Sequence, residues 1–339
     1  MDRLKHVIHA VAGSGKTSLI IDEVTLEKDI AIITYTTSNQ KVLKDKVIKK
    51  FGYLPDNIHI FGFWQFIYGF CLVPCLNKKP KGIIYDDEIK RANKFVNKKL
   101  AYGINGYIFD SMISKFLFDY KIPYLERIDE FFDEIYIDEF QDFDSYDLDW
   151  LLSLAKIKTK ILLVGDYYQR TYSTSKFGNK NSAKMKSFTS YKSSFEKAGY
   201  IFNHDLLGNS HRCSPEICGF ISEKLGIAID SNKENGNSII SIIKDETEIL
   251  SILKDDSIKK LFLKEHYKYN CNSENWGESK GQTYENVCVI LNPTSFKLFK
   301  SDKLMEMKPI IKSKFYVACT RSLGNLYFIE QKKIPKEIK

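Results

Sequence analysis

Apolar residues recur along this chain in two rhythms. Short apolar-rich runs at 6–11, 30–35, 134–138, 160–164, 259–263, 286–291 and 325–329 are bounded by polar and turn-forming residues, the signature of buried strands. Between them, 39–50, 86–100, 109–119, 145–155, 214–225 and 309–319 space their apolar residues at the three-to-four interval of helices, and a further helical stretch, Thr17–Lys28, follows the first strand. Strands alternating with helices predict an α/β protein built on parallel sheets. The segment 173–194 is polar, basic and poor in large aliphatics, which predicts a long exposed loop, and 230–238 is a second turn-rich break. With one sheet ending in the 160s and another beginning later, a domain boundary is expected near 200–208. No internal repeat is visible.

Composition narrows the class. The 339 residues are enough for about two domains of ordinary size, and 43% hydrophobic with 28% charged residues suits a globular protein with a sizeable core. No apolar run approaches the roughly 18 residues of a membrane span, and no signal-peptide pattern precedes the first strand, so a cytoplasmic protein without a membrane partner is expected. A net charge of +8 suits a nucleic-acid partner, although Lys-rich composition alone produces the same balance. The seven cysteines fall at no paired metal-site spacing and read as reduced thiols rather than a zinc centre.

The chemistry starts at residues 10–17, AVAGSGKT, between the first strand and the first helix. This is the context of a phosphate-binding P-loop. Gly13 and Gly15 let the backbone turn its N–H groups inward. The following helix adds the positive end of its dipole. Ala12, Gly13, Ser14, Gly15, Lys16 and Thr17 are therefore the expected nucleotide cradle, with Lys16 reaching the β- and γ-phosphates and the Thr17 hydroxyl a ligand for Mg²⁺. Ala10 stands where the pattern prefers glycine. The run FDEIYIDEFQD (132–142) ends a strand in two carboxylates. Asp138 can hold Mg²⁺ opposite Thr17, and Glu139 can orient and deprotonate an attacking water. A later strand, KILLVG (160–165), ends in Asp166-Tyr-Tyr-Gln169. A glutamine there can touch a γ-phosphate, and a solvated loop amide would look the same.

Seven motifs occur in order: AGSGKT, TYTTSNQ (34–40), IDEFQD (137–142), VGDYYQRTY (164–172), GNSHRC (208–213), GESKGQTYENVCVI (277–290) and YVACTRS (316–322). The series resembles that of superfamily 1 helicases of the UvrD/Rep group, over residues 6 to about 329. The resemblance implies two RecA-like P-loop NTPase domains, each a mostly parallel sheet flanked by helices, with ATP in the cleft between them. It implies domain 1 over 1–205, with a small insertion at about 67–130, and domain 2 over 206–339 without a large insertion. It also implies single-stranded DNA as the partner, with RNA left open, and stepping driven by ATP hydrolysis with 3′-to-5′ polarity.

Residue roles follow from the same resemblance. Arg212 and Arg321 match the arginines that act on the γ-phosphate, and Glu139 and Gln169 complete the catalytic set. His211 stands where many relatives stack a tyrosine on adenine. Thr36 matches a hydroxyl that binds nucleic-acid phosphate, and Ser279 and Lys280 match the motif that couples the strand to the ATP site. Trp64, in FGFWQFIYGF (61–70), reads equally as a base-stacking ring or as part of a packed core helix.

Several features depart from the group. About five residues precede the first strand, leaving no room for the glutamine motif that reads adenine. Thr283 stands where a sugar-binding glutamate is common, with Glu285 two residues on. Ser173, Thr174 and Ser175 replace a stacking tryptophan, and Phe177 is the aromatic nearby. Only 68 positions separate Arg212 from Lys280, where large helicases insert an accessory domain. Base selectivity is left open. Two functions remain in view: a DNA-stimulated ATPase and translocase with helicase activity, and a nucleotide-dependent subunit that switches a protein partner such as a nuclease. A kinase or small-molecule ATPase would leave the later motifs unexplained.

Overall fold

The computed structural model describes residues 5–85, 88–89, 102–171 and 180–338. Most of the helix expected at 86–100, and the positions Ser173, Thr174, Ser175 and Phe177, lie outside the described residues. The chain divides into two compact units. The first comprises Met1–Ile8, Thr17–Gly165 and Ser173–Asn203, and the second His9–Lys16, Asp166–Tyr172 and His204–Lys339. The phosphate-loop segment and the segment after residue 165 thus return to the second unit, which no single cut along the sequence captures.

In chain order the first strands are β1 (Lys5–Ala10), β2 (Ile30–Thr34), β3 (Ile58–Gly62), β4 (Ile83–Ile84), β5 (Gly103–Ile104), β6 (Tyr107–Phe109), β7 (Glu134–Asp138), β8 (Lys160–Gly165) and β9 (Ile201–Leu207). Six of them form a sheet ordered β3-β2-β7-β8-β1-β9, and β4-β6-β5 form a small sheet within the insertion. The pairs β2/β3, β2/β7 and β7/β8 are parallel. All five residues of β2, IAIIT, are buried, as expected of a strand covered on both faces. Beside the sheet, Phe63, Phe66, Phe143 and Trp150 are fully buried. Phe63 lies 4.7 Å from Phe143 and 5.4 Å from Trp150 between ring centroids.

Local chemistry sets the helix ends. Thr36 caps the helix Thr37–Phe51 by accepting from Asn39 N, and Ser214 caps Pro215–Leu225 with proline at the first position. The helix after the P-loop is shorter than expected, Lys16–Glu23. The loop expected over 173–194 is overturned in its second half, where Phe188–Ala198 is helical. Ser187 caps it and Gly199, at φ 105°, ends it in the left-handed conformation. Its buried face consists of Tyr191 and Phe195, one turn apart, so aromatic rings supply what the missing aliphatics did not.

The second unit carries β10 (Asn209–Ser210) paired with β11 (Asp230–Ser231), and a five-stranded sheet. That sheet comprises β12 (Ile240–Ile243), β13 (Ile258–Phe262), β14 (Ser273–Asn275), β15 (Asn286–Leu291) and β16 (Leu326–Glu330), in the order β12-β16-β15-β13-β14. Every pairing in it is parallel. Alternate residues of β15 feed two cores. Val287, Val289 and Leu291 pack with Trp276, Phe315 and Phe328, whereas Cys288 and Ile290 pack with Ile249, Phe262 and Ile329. Among the described residues no helix is long and apolar enough to cross a membrane.

Candidate functional site

In the second unit, the P-loop backbone turns at Gly13 (φ 76°) and Gly15 (φ 90°), and the helix Lys16–Glu23 starts at the lysine. Gly13 is needed twice over. A Cβ there would lie 2.6 Å from the Arg212 Cβ and 2.8 Å from the Ser210 Oγ, and its φ disfavours any side chain. The loop is pinned by its own unit. Val11 N donates to Leu207 O at 3.0 Å and His211 N to Gly13 O at 2.9 Å. Ser14, one of the expected cradle residues, is buried and donates from its hydroxyl to Val11 O at 2.9 Å. Ala12 N donates to the Tyr316 hydroxyl at 2.9 Å.

Asp166, just past β8, is fully buried and gathers several donors. Tyr316 Oη donates to Oδ2 at 2.9 Å, Gln169 Nε2 to Oδ2 at 3.0 Å, and Tyr168 N to Oδ1 at 3.0 Å. His9 Nε2 lies 3.8 Å from Oδ1, and burial holds its imidazole below the usual pKa against the pull of Asp166. Gln169, expected at a γ-phosphate, is thus itself buried and oriented by the carboxylate three residues before it.

The two arginines differ. Arg212 is half-buried, and its guanidinium makes one hydrogen bond among the described residues, Nη1 to Thr320 O at 3.3 Å. Arg321 is 1% exposed and donates through Nε to Val317 O, Nη1 to Gln282 O and Nη2 to the Thr320 hydroxyl, at 3.0, 3.2 and 3.1 Å. Its fork ties the end of the helix Pro309–Cys319 to the segment after Gly281. His211 is exposed, with its ring 2.9 Å from the Asn232 amide nitrogen. Ser279 is buried and donates to Trp276 O at 2.8 Å, and Lys280 follows it half-buried. Thr283 and Glu285 are both exposed.

In the first unit, Thr17 lies in the first turn of its helix, half-buried, and Asp138 ends β7 at 3% exposure. Glu139 turns the chain with φ 60° and ψ 45°, a left-handed conformation that a glutamate seldom adopts and that tends to persist at functional sites. Its carboxylate accepts from the Gln141 amide. Gln141 in turn fits because residue 165 is glycine, since a Cβ there would lie 2.2 Å from Gln141 Oε1. Gln141, the glutamine of EFQD, carries no signal of this role in the sequence, because its place beside Glu139 is set by the turn.

Thr36 and Trp64 come to one edge of this unit by register. Thr34 of β2 pairs with Gly62 of β3 in parallel, so the residues that follow leave the sheet side by side. Tyr35 lies 5.2 Å from Phe63 and 5.7 Å from Trp64 between centroids. Trp64 is half-buried, and the helix after it, Gln65–Leu72, is wound as a π-helix that buries Phe66, Ile67, Cys71 and Leu72. Within FGFWQFIYGF, Phe63, Phe66 and Ile67 are core residues, and Trp64 sits at their rim. Thr36 is exposed, with its hydroxyl engaged as the helix cap.

Beneath this edge, Asp147 is buried and accepts from Ser114 Oγ at 2.6 Å and Tyr35 Oη at 3.3 Å. Burial pushes its pKa up to about 8, with the Asp144 and Asp110 charges adding to the rise and the Ser114 and Tyr35 hydrogen bonds opposing it. A carboxyl whose folded pKa is raised keeps a proton that the unfolded chain has released, so its contribution to stability falls as pH climbs from about 4 to about 8. Denaturant unfolding at pH 5, 7 and 9 is expected to show Asp147→Asn gaining on the wild type by on the order of 1–3 kcal/mol across that range. Parallel profiles would show that the carboxyl is ionised throughout.

Residues 84–190 match the family model of the UvrD/REP helicase N-terminal domain. No curated protein matches the chain by sequence. Among solved structures, the arterivirus nonstructural protein 10 helicase in complex with DNA aligns with 96% of this chain and 61% of its own, at TM-score 0.52 and 13% identity. A second structure of the arterivirus nonstructural protein 10 helicase aligns with 96% and 59%, at 0.51 and 13%. The PRRSV helicase aligns with 98% and 54%, at 0.50 and 12%. At these identities the likeness is one of fold, and the chain spans between about a half and three fifths of the length of those helicases. The mostly parallel sheets flanked by helices are of the RecA-like fold.

Proposed function

We propose that this chain, which resembles superfamily 1 helicases of the UvrD/Rep group, is an ATP-hydrolysing motor that tracks along single-stranded DNA in the 3′-to-5′ direction. The observation that carries the reading is the P-loop itself. Two left-handed glycines turn it at a helix N-terminus, and Gly13 packs against Arg212, so the phosphate cradle and its candidate arginine are neighbours. The family match over 84–190 and a fold shared with a helicase solved with DNA support a nucleic-acid-dependent NTPase.

In this reading Ala12 to Thr17 hold the triphosphate, Lys16 neutralises its developing charge, and Glu139 takes a proton from the attacking water. Gln169 senses the γ-phosphate and Arg212 stabilises charge on it in the transition state. Arg321 contributes first by bracing its helix end, because its guanidinium is already committed there. Mg²⁺ fits the oxygen donors present. The Thr17 hydroxyl and Asp138 carboxylate are hard ligands, and no group of three or more His, Cys, Asp or Glu among the described residues forms a cage of its own. Such a pair suits an ion that arrives with the nucleotide and lowers the charge on its phosphates. Trp64 offers an aromatic face and Thr36 a hydroxyl to a strand at the edge of the first unit, while Ser279 and Lys280 serve the second.

Phosphate release measured with and without single-stranded DNA tests the proposal. Turnover is expected to rise at least tenfold on adding the strand. No stimulation by DNA or RNA would overturn the motor and leave the nucleotide-dependent switch of a partner protein. A tailed-duplex displacement assay then separates a helicase from a bare translocase.

A further inference from the structure

The phosphate loop and Gln169 are joined by a chain of hydrogen bonds through one phenol. Tyr316 lies on the helix Pro309–Cys319 and is fully buried, as are Ala12 and Asp166, and Gln169 is 3% exposed. Its hydroxyl accepts from Ala12 N at 2.9 Å and donates to Asp166 Oδ2 at 2.9 Å, the oxygen that also accepts from Gln169 Nε2 at 3.0 Å. A phenol has one proton to give and lone pairs to receive, so this bridge uses it in both senses. Burial first, then the Asp166 charge, raises the Tyr316 pKa well above the ordinary value, so the phenol stays protonated and its direction of donation is fixed. The ring is held as well, edge-on to Tyr168 at 6.2 Å and packed in the core of the second unit.

We propose that Tyr316 is a positioning residue that sets the γ-phosphate-sensing amide of Gln169 against the phosphate loop, acting through Asp166. The proposal rests on the reading of the chain as an ATPase. The Tyr316 bridge takes up the N–H of Ala12, and Ser14 N donates to Val11 O at 3.3 Å, which leaves the amides of Gly13, Gly15, Lys16 and Thr17 to the phosphates. Removing the hydroxyl frees two buried partners at once, the Ala12 N–H and one lone pair of the Asp166 carboxylate. The carboxylate can then turn, and Gln169 turns with it.

The test is Tyr316→Phe, which keeps the ring and its packing, assayed with single-stranded DNA present. We expect kcat for ATP to fall about tenfold while KM and the affinity for a fluorescent ATP analogue move less than threefold. Asp166→Asn should give the same split, and the double variant should lose no more than the worse single one, because the residues act in one chain. A merely structural tyrosine would instead raise KM and lower the melting temperature along with kcat, and that pattern would overturn the proposal. Unchanged kcat in Tyr316→Phe would also overturn it. If Tyr316→Phe does not fold, Asp166→Asn decides by the same split. A wild-type protein that hydrolyses no nucleoside triphosphate would instead remove the ATPase reading beneath it.

Discussion

Lys16→Ala is expected to bring ATP turnover down by at least about a hundredfold, to near background, with or without DNA. The reason is local. Lys16 opens the helix Lys16–Glu23 immediately after two left-handed glycines, where the loop amides and the helix end already favour an anion. The ammonium adds the one full positive charge that the loop itself carries, and removing even one preorganised donor aimed at developing charge costs roughly 10²–10³ in rate. Lys16 is half-buried rather than part of the core, so the fold should survive the change. Phosphate release and thermal melting measured on the same preparation check both halves. Retained turnover in a folded Lys16→Ala protein would show that AVAGSGKT is not the catalytic loop.

The second large effect separates the two arginines. Arg212→Ala is expected to lower kcat by roughly 10³ with little change in folding stability, in line with the worth of an arginine finger. Its guanidinium holds one hydrogen bond among the described residues, to Thr320 O, so the remaining donors of the fork can turn to a phosphate. Lysine should not restore the rate, since a point charge lacks the planar fork. Arg321→Ala should behave in the opposite order. It strips donors from Val317 O, Gln282 O and Thr320 Oγ1 inside the protein, and is expected to cost about 2–4 kcal/mol of stability before any effect on chemistry is read. Denaturation midpoints beside steady-state rates for the two variants decide the matter. Equal stability losses would collapse the distinction drawn between them.

The strands legible in the sequence share a physical cause. β1, β2, β7 and β8 in one sheet, and β13, β15 and β16 in the other, are all interior strands, covered by neighbours on both edges. They are buried along most of their length, and a short run rich in apolar residues marks each of them. The missed strands β3, β9, β12 and β14 are the four edges of those two sheets. β9, IFNHDLL, is mostly exposed along its length, and β14 is SEN. Nothing in such strings separates a strand from a loop until a neighbour supplies the ladder. The helix Phe188–Ala198 was hidden for a related reason, since two aromatic rings do the burying among polar residues.

The candidate site divides along the same line. The motifs themselves are local, and the phosphate loop is the clearest of them, because left-handed turns need glycine and phosphate needs charge within a few residues. Residues 10–17, the carboxylates at the end of β7 and just past it, and the glutamine after β8 are therefore visible in the sequence as candidate groups. What the motifs lacked was the partner of each group. That Asp166 holds Gln169 and Tyr316 together spans 150 positions of chain, and that Gly13 must be bare because Arg212 packs on it spans nearly 200. The left-handed Glu139 and the Gln141 amide that steadies it are likewise conformational facts. Residue type fixed which groups could bind, donate or take a proton, because that is a property of the side chain alone. Only the tertiary structure decided which of them are free to do so, because burial and hydrogen bonding commit Arg321 and leave Arg212 its open donors.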